Sequence, residues 1–180
     1  DPNSEQRRIM LAELFVNTKD VAAAEQVLLD AAEQIPHSTH IQFGLSALYR
    51  KGGQDLKARQ RYALLVKEYT DKPVGLEAKI KLAEMDFVEG KQVDAERQVQ
   101  EVLKSNPRSS DGLILTGRMA LTRRNGKEAV QAFRTVLHDQ PELATIHYLL
   151  GRAYQLTGDT NLAKDSFERA VTLYPDQMDA

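Results

Sequence analysis

The sequence predicts an all-α fold built from five helix–turn–helix repeats stacked along the chain. Three observations predict it. The prolines stand at 2, 36, 73, 107, 141 and 175, with gaps of 34, 37, 34, 34 and 34. A recurrence of that length is the mark of a two-helix unit. Small residues recur at two fixed places between the prolines, and larger apolar residues recur around them. Lastly, Gly and Pro are few, 10 and 6 among 180 residues, and are confined mostly to the expected turns and boundaries.

Proline suits a repeat boundary because it has no N–H to continue a preceding helix, while its fixed φ can open the next one. Taking the third residue after each proline as the first repeat position gives repeats at about 5–38, 39–75, 76–109, 110–143 and 144–177, in one array over 1–180.

In the first repeat, Ala12 and Ala24 are expected where the paired helices come closest. Phe15 and Leu28 fill the layer beside them, and NTKD makes the turn, with Asp20 suited to cap the second helix. The second repeat places Ser46 and Ala58 at the close contact, Tyr49 and Tyr62 in the layer, and KGGQ in the turn. It then carries three extra residues in YTDKP before Pro73. The third has Ala83 and Ala95 with the turn VEGK, but Lys79 and Asp86 are departures from an apolar pattern.

The fourth repeat sets Gly117 against Ala129 and Phe133, turns at RRNG with Asn125 as cap, and departs at Ala120. The fifth sets Gly151 against Ala163, Tyr154 and Phe167, turns at LTGD with Asp159 as cap, and closes at Pro175. Gly53, Gly90 and Gly158 share one turn position, where a left-handed residue ends a helix. Lys19 and Arg124 stand there without glycine's freedom, so those two turns are expected to take another shape.

This spacing resembles the tetratricopeptide repeat (TPR). The resemblance covers essentially the whole chain and rests on five matches in register. It implies a right-handed superhelical TPR solenoid, an alpha-alpha superhelix. No polar capping pattern follows Tyr174 and Pro175, although solenoid ends normally need one. The stretch therefore reads as part of a longer array, or as one whose ends associate.

Composition narrows the function. Lys and Arg number 24 against 26 Asp and Glu, a net charge of −2. That lacks the basic excess of a nucleic-acid binder. The absence of cysteine removes thiolate chemistry and Cys-based zinc sites. No apolar run reaches the ~18 residues of a membrane span, so no direct membrane insertion is expected. His37 and His40 are spaced i, i+3 but lack further ligands. KGGQ joins two helices and is too short for a phosphate loop. Glu13 and Glu84 share a repeat position two repeats apart. With ~10 Å between packed helices, they cannot act on one bond. Neither enzyme activity nor a cofactor is expected.

The resemblance assigns the fifth, ninth and twelfth repeat positions to a concave groove where ligands lie. At the fifth stand Ile9, Phe43, Ile80, Ile114 and Tyr148. At the ninth stand Glu13, Ala47, Glu84, Arg118 and Arg152. At the twelfth stand Val16, Arg50, Phe87, Leu121 and Gln155. These positions share one helical face. The apolar row and the sorted charge fit a groove for a peptide or an amphipathic helix. The alternative is that some of these apolar residues pack against neighbouring helices while the charges are simply solvated.

Some TPR proteins grip chaperone C-termini with a Lys and Asn clamp, but here the matching places hold Ile9, Glu13 and Gly44. The expectation is thus a non-enzymatic scaffold with a protein or peptide partner and no nucleic acid. Repeats such as LAEMDFVEGKQVDAERQVQEVLKSNP also resemble bacterial envelope TPR proteins, including exopolysaccharide-associated lipoproteins. That likeness implies a periplasmic or cell-envelope location, rather than a cytoplasmic one, and a part in secretion or polymer export. A structural spacer or self-assembling rod, and the accessory region of an enzyme, remain the alternatives.

Overall fold

The computed structural model describes residues 5–174, so Pro2 and Pro175 lie outside the described residues. Among these residues there are ten α-helices and no strand. They pair as α1 (Glu5–Asn17) with α2 (Val21–Gln34), α3 (Thr39–Lys51) with α4 (Asp55–Glu68), α5 (Pro73–Val88) with α6 (Gln92–Ser105), α7 (Ser110–Thr122) with α8 (Gly126–Asp139), and α9 (Ala144–Thr157) with α10 (Thr160–Leu173). Ten helices give five helix–turn–helix repeats. The chain divides into two compact units, one up to Leu82 and one from Ala83, and the division falls inside α5.

Packing within each hairpin follows residue size. The expected small residues are all buried: Ala12, Ser46, Ala83, Gly117 and Gly151 on the first helices, and Ala24, Ala58, Ala95, Ala129 and Ala163 on the second. In the second unit Phe133, Val136, Ile146, Leu150 and Tyr154 join Ala120, Ala129, Ala153 and Ala163 in one cluster. Phe15 and Phe167 fill their layers only in part, Phe15 being half-buried and Phe167 packing on the cluster from its edge. Phe167 sits on α10, which among the described residues packs chiefly against α9.

One backbone device makes all five turns. The N–H groups of Asp20, Gln54, Lys91 and Asn125 each donate over 2.8 Å to the carbonyl five residues back, on Phe15, Tyr49, Asp86 and Ala120. Asp159 donates likewise to Tyr154 over 3.0 Å. This bond closes only if the residue before the donor is left-handed. Gly53, Gly90 and Gly158 have φ of 71°, 80° and 84°. Lys19 and Arg124 adopt the same conformation, at 64° and 57°, contrary to the expectation of a different shape. Hairpin packing imposes the turn, and those two residues bear its steric cost.

The caps agree in part. Asp20 accepts from Ala23 N–H at 3.0 Å and Asn125 from Glu128 N–H at 3.3 Å. Asp159 makes no such bond, because its carboxylate accepts from the Thr157 hydroxyl instead. Ser38 and Ser109 cap α3 and α7, accepting from Ile41 and Gly112 N–H at 3.1 and 3.3 Å.

The three-residue insertion extends a helix. α5 begins at Pro73, not at Leu76 where the repeat count puts it, and runs 16 residues against 13 or 14 in the others. Proline is pre-organised for the first helical position. Asp71 turns the chain with φ 59°, and Lys72 accepts from Leu76 N–H at 3.0 Å. Gly75 is buried in this extra turn against the Tyr69 carbonyl. The departure at Asp86 leaves no orphan: its buried carboxylate accepts from the Gln98 side-chain amide of α6.

Candidate functional site

In the first unit, Ile9, Ala12, Glu13 and Val16 lie on successive turns of α1, because residues three and four apart share a face. Across from them, Gly44, Ala47, Leu48 and Lys51 do the same on α3. Together they line a pocket of about 430 Å³, with Leu28 of α2 also in its wall. Small residues at 12, 44 and 47 make the hollow. Glu13, Asn17 and Lys51 are exposed, while Ile9 and Val16 are half-buried. The pocket suits one apolar side chain bordered by groups of both charges.

Other groove positions of this unit lie elsewhere. Phe43 is half-buried and tilts against Tyr62, with ring centroids 5.9 Å apart. Arg50 is half-buried and does not line the pocket. Ile80 is 1% exposed, so it packs and presents no surface.

In the second unit, Arg118 stands with its guanidinium 5.7 Å from the centre of the Phe87 ring. This cation–π contact holds a positive charge over an aromatic face. Ile114 and Leu121 are partly buried and pack on the core cluster. Tyr148 is 42% exposed and tilts against Phe167 at 5.7 Å. Arg152 is exposed, with no ion pair among the described residues, and Glu84 is half-buried.

The sequence reading missed Asn17, Leu48 and Lys51 as pocket residues. They fall outside the three groove positions, and only the facing of α1 and α3 brings them in. His37 and His40 each meet a carboxylate separately: Nδ1 of His37 lies 3.3 Å from Glu68, and that of His40 2.8 Å from Glu5. His147 is half-buried, its Nε2 2.9 Å from the Pro141 carbonyl. Among the described residues no cluster of three or more His, Asp or Glu is placed to hold a metal.

Buried small residues at two repeat positions and one shared turn geometry are now joined by a family match. Residues 111–176 match the tetratricopeptide repeat family. Solved structures with the tetratricopeptide-repeat fold match nearly the whole chain. BtubC from P. vanneervenii is 19% identical with a TM-score of 0.79, covering 97% of this chain and 81% of its own. A thermophilic TPR protein of Thermus thermophilus is 18% identical with a TM-score of 0.73, covering 98% and 94%. A TPR protein from Parabacteroides merdae is 18% identical with a TM-score of 0.68, covering 96% and 67%.

No curated protein matches the chain. The likeness to exopolysaccharide-associated lipoproteins finds no support among these matches. The TPR fold is in general a scaffold for protein–protein contacts, since stacked hairpins offer extended surfaces at little cost to the core. Among the described residues no helix is long and apolar enough to cross a membrane.

Proposed function

We propose that the chain is a non-enzymatic interaction scaffold that holds a peptide or helix against its first helices. The observation that carries this reading is the pocket between α1 and α3. Four positions assigned to the groove, Ile9, Glu13, Val16 and Ala47, line it together. An apolar floor takes an anchoring side chain, and Glu13 and Lys51 orient the backbone around it. In the second unit, Arg118 and Arg152 favour an acidic segment on the corresponding helix face. A place in envelope secretion or polymer export is supported by the sequence likeness alone.

Site-specific photocrosslinking tests the pocket. A benzoylphenylalanine replacing exposed Ala47 should capture a partner. The same group at exposed Ala63 of α4 should not, and Gly44→Leu, which fills the pocket from its half-buried α3 wall, should reduce capture. Equal labelling from both positions would reject the groove.

A second reading, end-to-end assembly of a rod, is favoured by α10. Phe167, Ala163 and Val171 line an open hollow of about 880 Å³, and Val171 is 43% exposed. If assembly dominates, Val171→Glu should change the oligomer size in light scattering, and pocket variants should not.

A further inference from the structure

The second unit has another cleft, of about 380 Å³, on residues that none of the groove positions supplies. It lies among α8, α9 and α10. Its charged and titratable lining comprises Arg134 and His138 from α8, His147 from α9, and Asp165 and Arg169 from α10. Leu162, 46% exposed, adds an open apolar surface, with Leu137 and Tyr154 beside it.

The cations are available. Among the described residues, neither Arg134 nor Arg169 makes a hydrogen bond or ion pair. Asp139, whose Oδ1 lies 3.5 Å from His138 Nδ1, is held in a two-point pair by Arg108, with one contact at 3.1 Å. Asp139 is therefore already paired, and it does not line the cleft. The Ser166 hydroxyl donates to the Leu162 carbonyl at 2.7 Å and is spent. Asp165 is the single carboxylate lining the cleft, against two guanidinium groups.

The first unit shows the contrast. Its cleft between α3 and α4 includes Gln42, at the repeat position His147 holds, and Arg61. There Arg61 donates to the Gln42 side-chain carbonyl oxygen at 2.7 Å, which occupies the cation. In the fifth repeat Ser166 holds the position of Arg61, so His147, bonded to the Pro141 carbonyl as Gln42 is to that of Pro36, has no arginine opposite it at that position.

We propose that this cleft binds an acidic peptide segment, with a carboxylate met by Arg134 and Arg169 and a neighbouring apolar side chain seated on Leu162. The volume is at the small end of ligand pockets and fits one or two side chains. A guanidinium group favours a planar carboxylate through charge-assisted hydrogen bonds, and two of them line this cleft.

The chain's four histidines report on the site. With ¹³C-labelled histidine, the acetylated and amidated tetrapeptide Glu-Leu-Glu-Glu should move the ring signals of His138 and His147 saturably and leave His37 and His40 still. The glutamine analogue should not. Arg134→Gln with Arg169→Gln should weaken the peptide about tenfold or more. Asp165→Asn should tighten it roughly threefold. Arg118→Gln with Arg152→Gln should change nothing, which separates this cleft from the groove. Four results would overturn the proposal: no saturable movement at His138 and His147, equal movement with the glutamine analogue, full affinity in the folded double variant, or equal movement with inorganic phosphate. Should that double variant fail to fold, an unchanged affinity in Asp165→Asn decides against it.

Discussion

The ring of Phe133 lies so close to Gly117 that a β-carbon at 117 would overlap the ring edge. Phe133 is fully buried and cannot swing away. Gly117→Ala should therefore destabilise the protein by about 1–3 kcal/mol, although alanine is the better helix former. Gly151 meets Phe167 in the same way, with an added β-carbon 2.6 Å from the ring. Phe167 packs on the core cluster from its edge, so Gly151→Ala should cost less. Urea denaturation of both variants checks the order, and a larger loss at 151 would contradict it.

Lys19 and Arg124 hold the left-handed turn position that glycine fills in three other repeats. A side chain there costs roughly 1–2 kcal/mol, partly offset by the extra chain entropy glycine brings to the unfolded state. Lys19→Gly and Arg124→Gly should each raise stability by about 0.5–1 kcal/mol. Gly53→Ala should lower it. Melting temperatures read both signs.

Gly75 presses on the Tyr69 carbonyl, which is backbone and has no freedom to move aside. Gly75→Ala should force α5 to shift its first turn and cost about 1–3 kcal/mol. Hydrogen exchange at Leu76, whose N–H bonds to Lys72, should speed up, while exchange in α9 stays unchanged.

Arg118 covers an aromatic ring, and Arg152 is exposed without such a contact. Arg118→Glu should lose about 0.5–1 kcal/mol from the Phe87 contact. Arg152→Glu should be neutral for stability. The double variant, still folded, should lose capture of an acidic partner on this helix face. A pull-down with undiminished yield would reject that role.

Much of the fold was legible because it repeats. The proline spacing set the register, and Ala12, Ala24 and their equivalents marked every close contact by position alone. Repetition turns a weak local preference into five independent readings of one pattern. The assignment of Ile9, Glu13, Val16 and Ala47 to a groove came from the resemblance to the tetratricopeptide repeat; spacing supplied only that such positions share a helix face.

Other features depended on contacts between segments distant in sequence. Neither Lys19 nor Arg124 has a local preference for positive φ, and both are driven there by helices that must pair. Asp159 suits a cap, yet Thr157 takes its carboxylate. Pro73 can end a repeat or begin a helix, and the buried approach of Gly75 to Tyr69 goes with the second. Ile80 has the same character as Ile9 and Ile114, but it is buried. Sequence periodicity determined which residues face inward along each helix. The tertiary structure decided which of those faces stay open and which cations remain unpaired, because accessibility and pairing depend on what a distant helix places opposite.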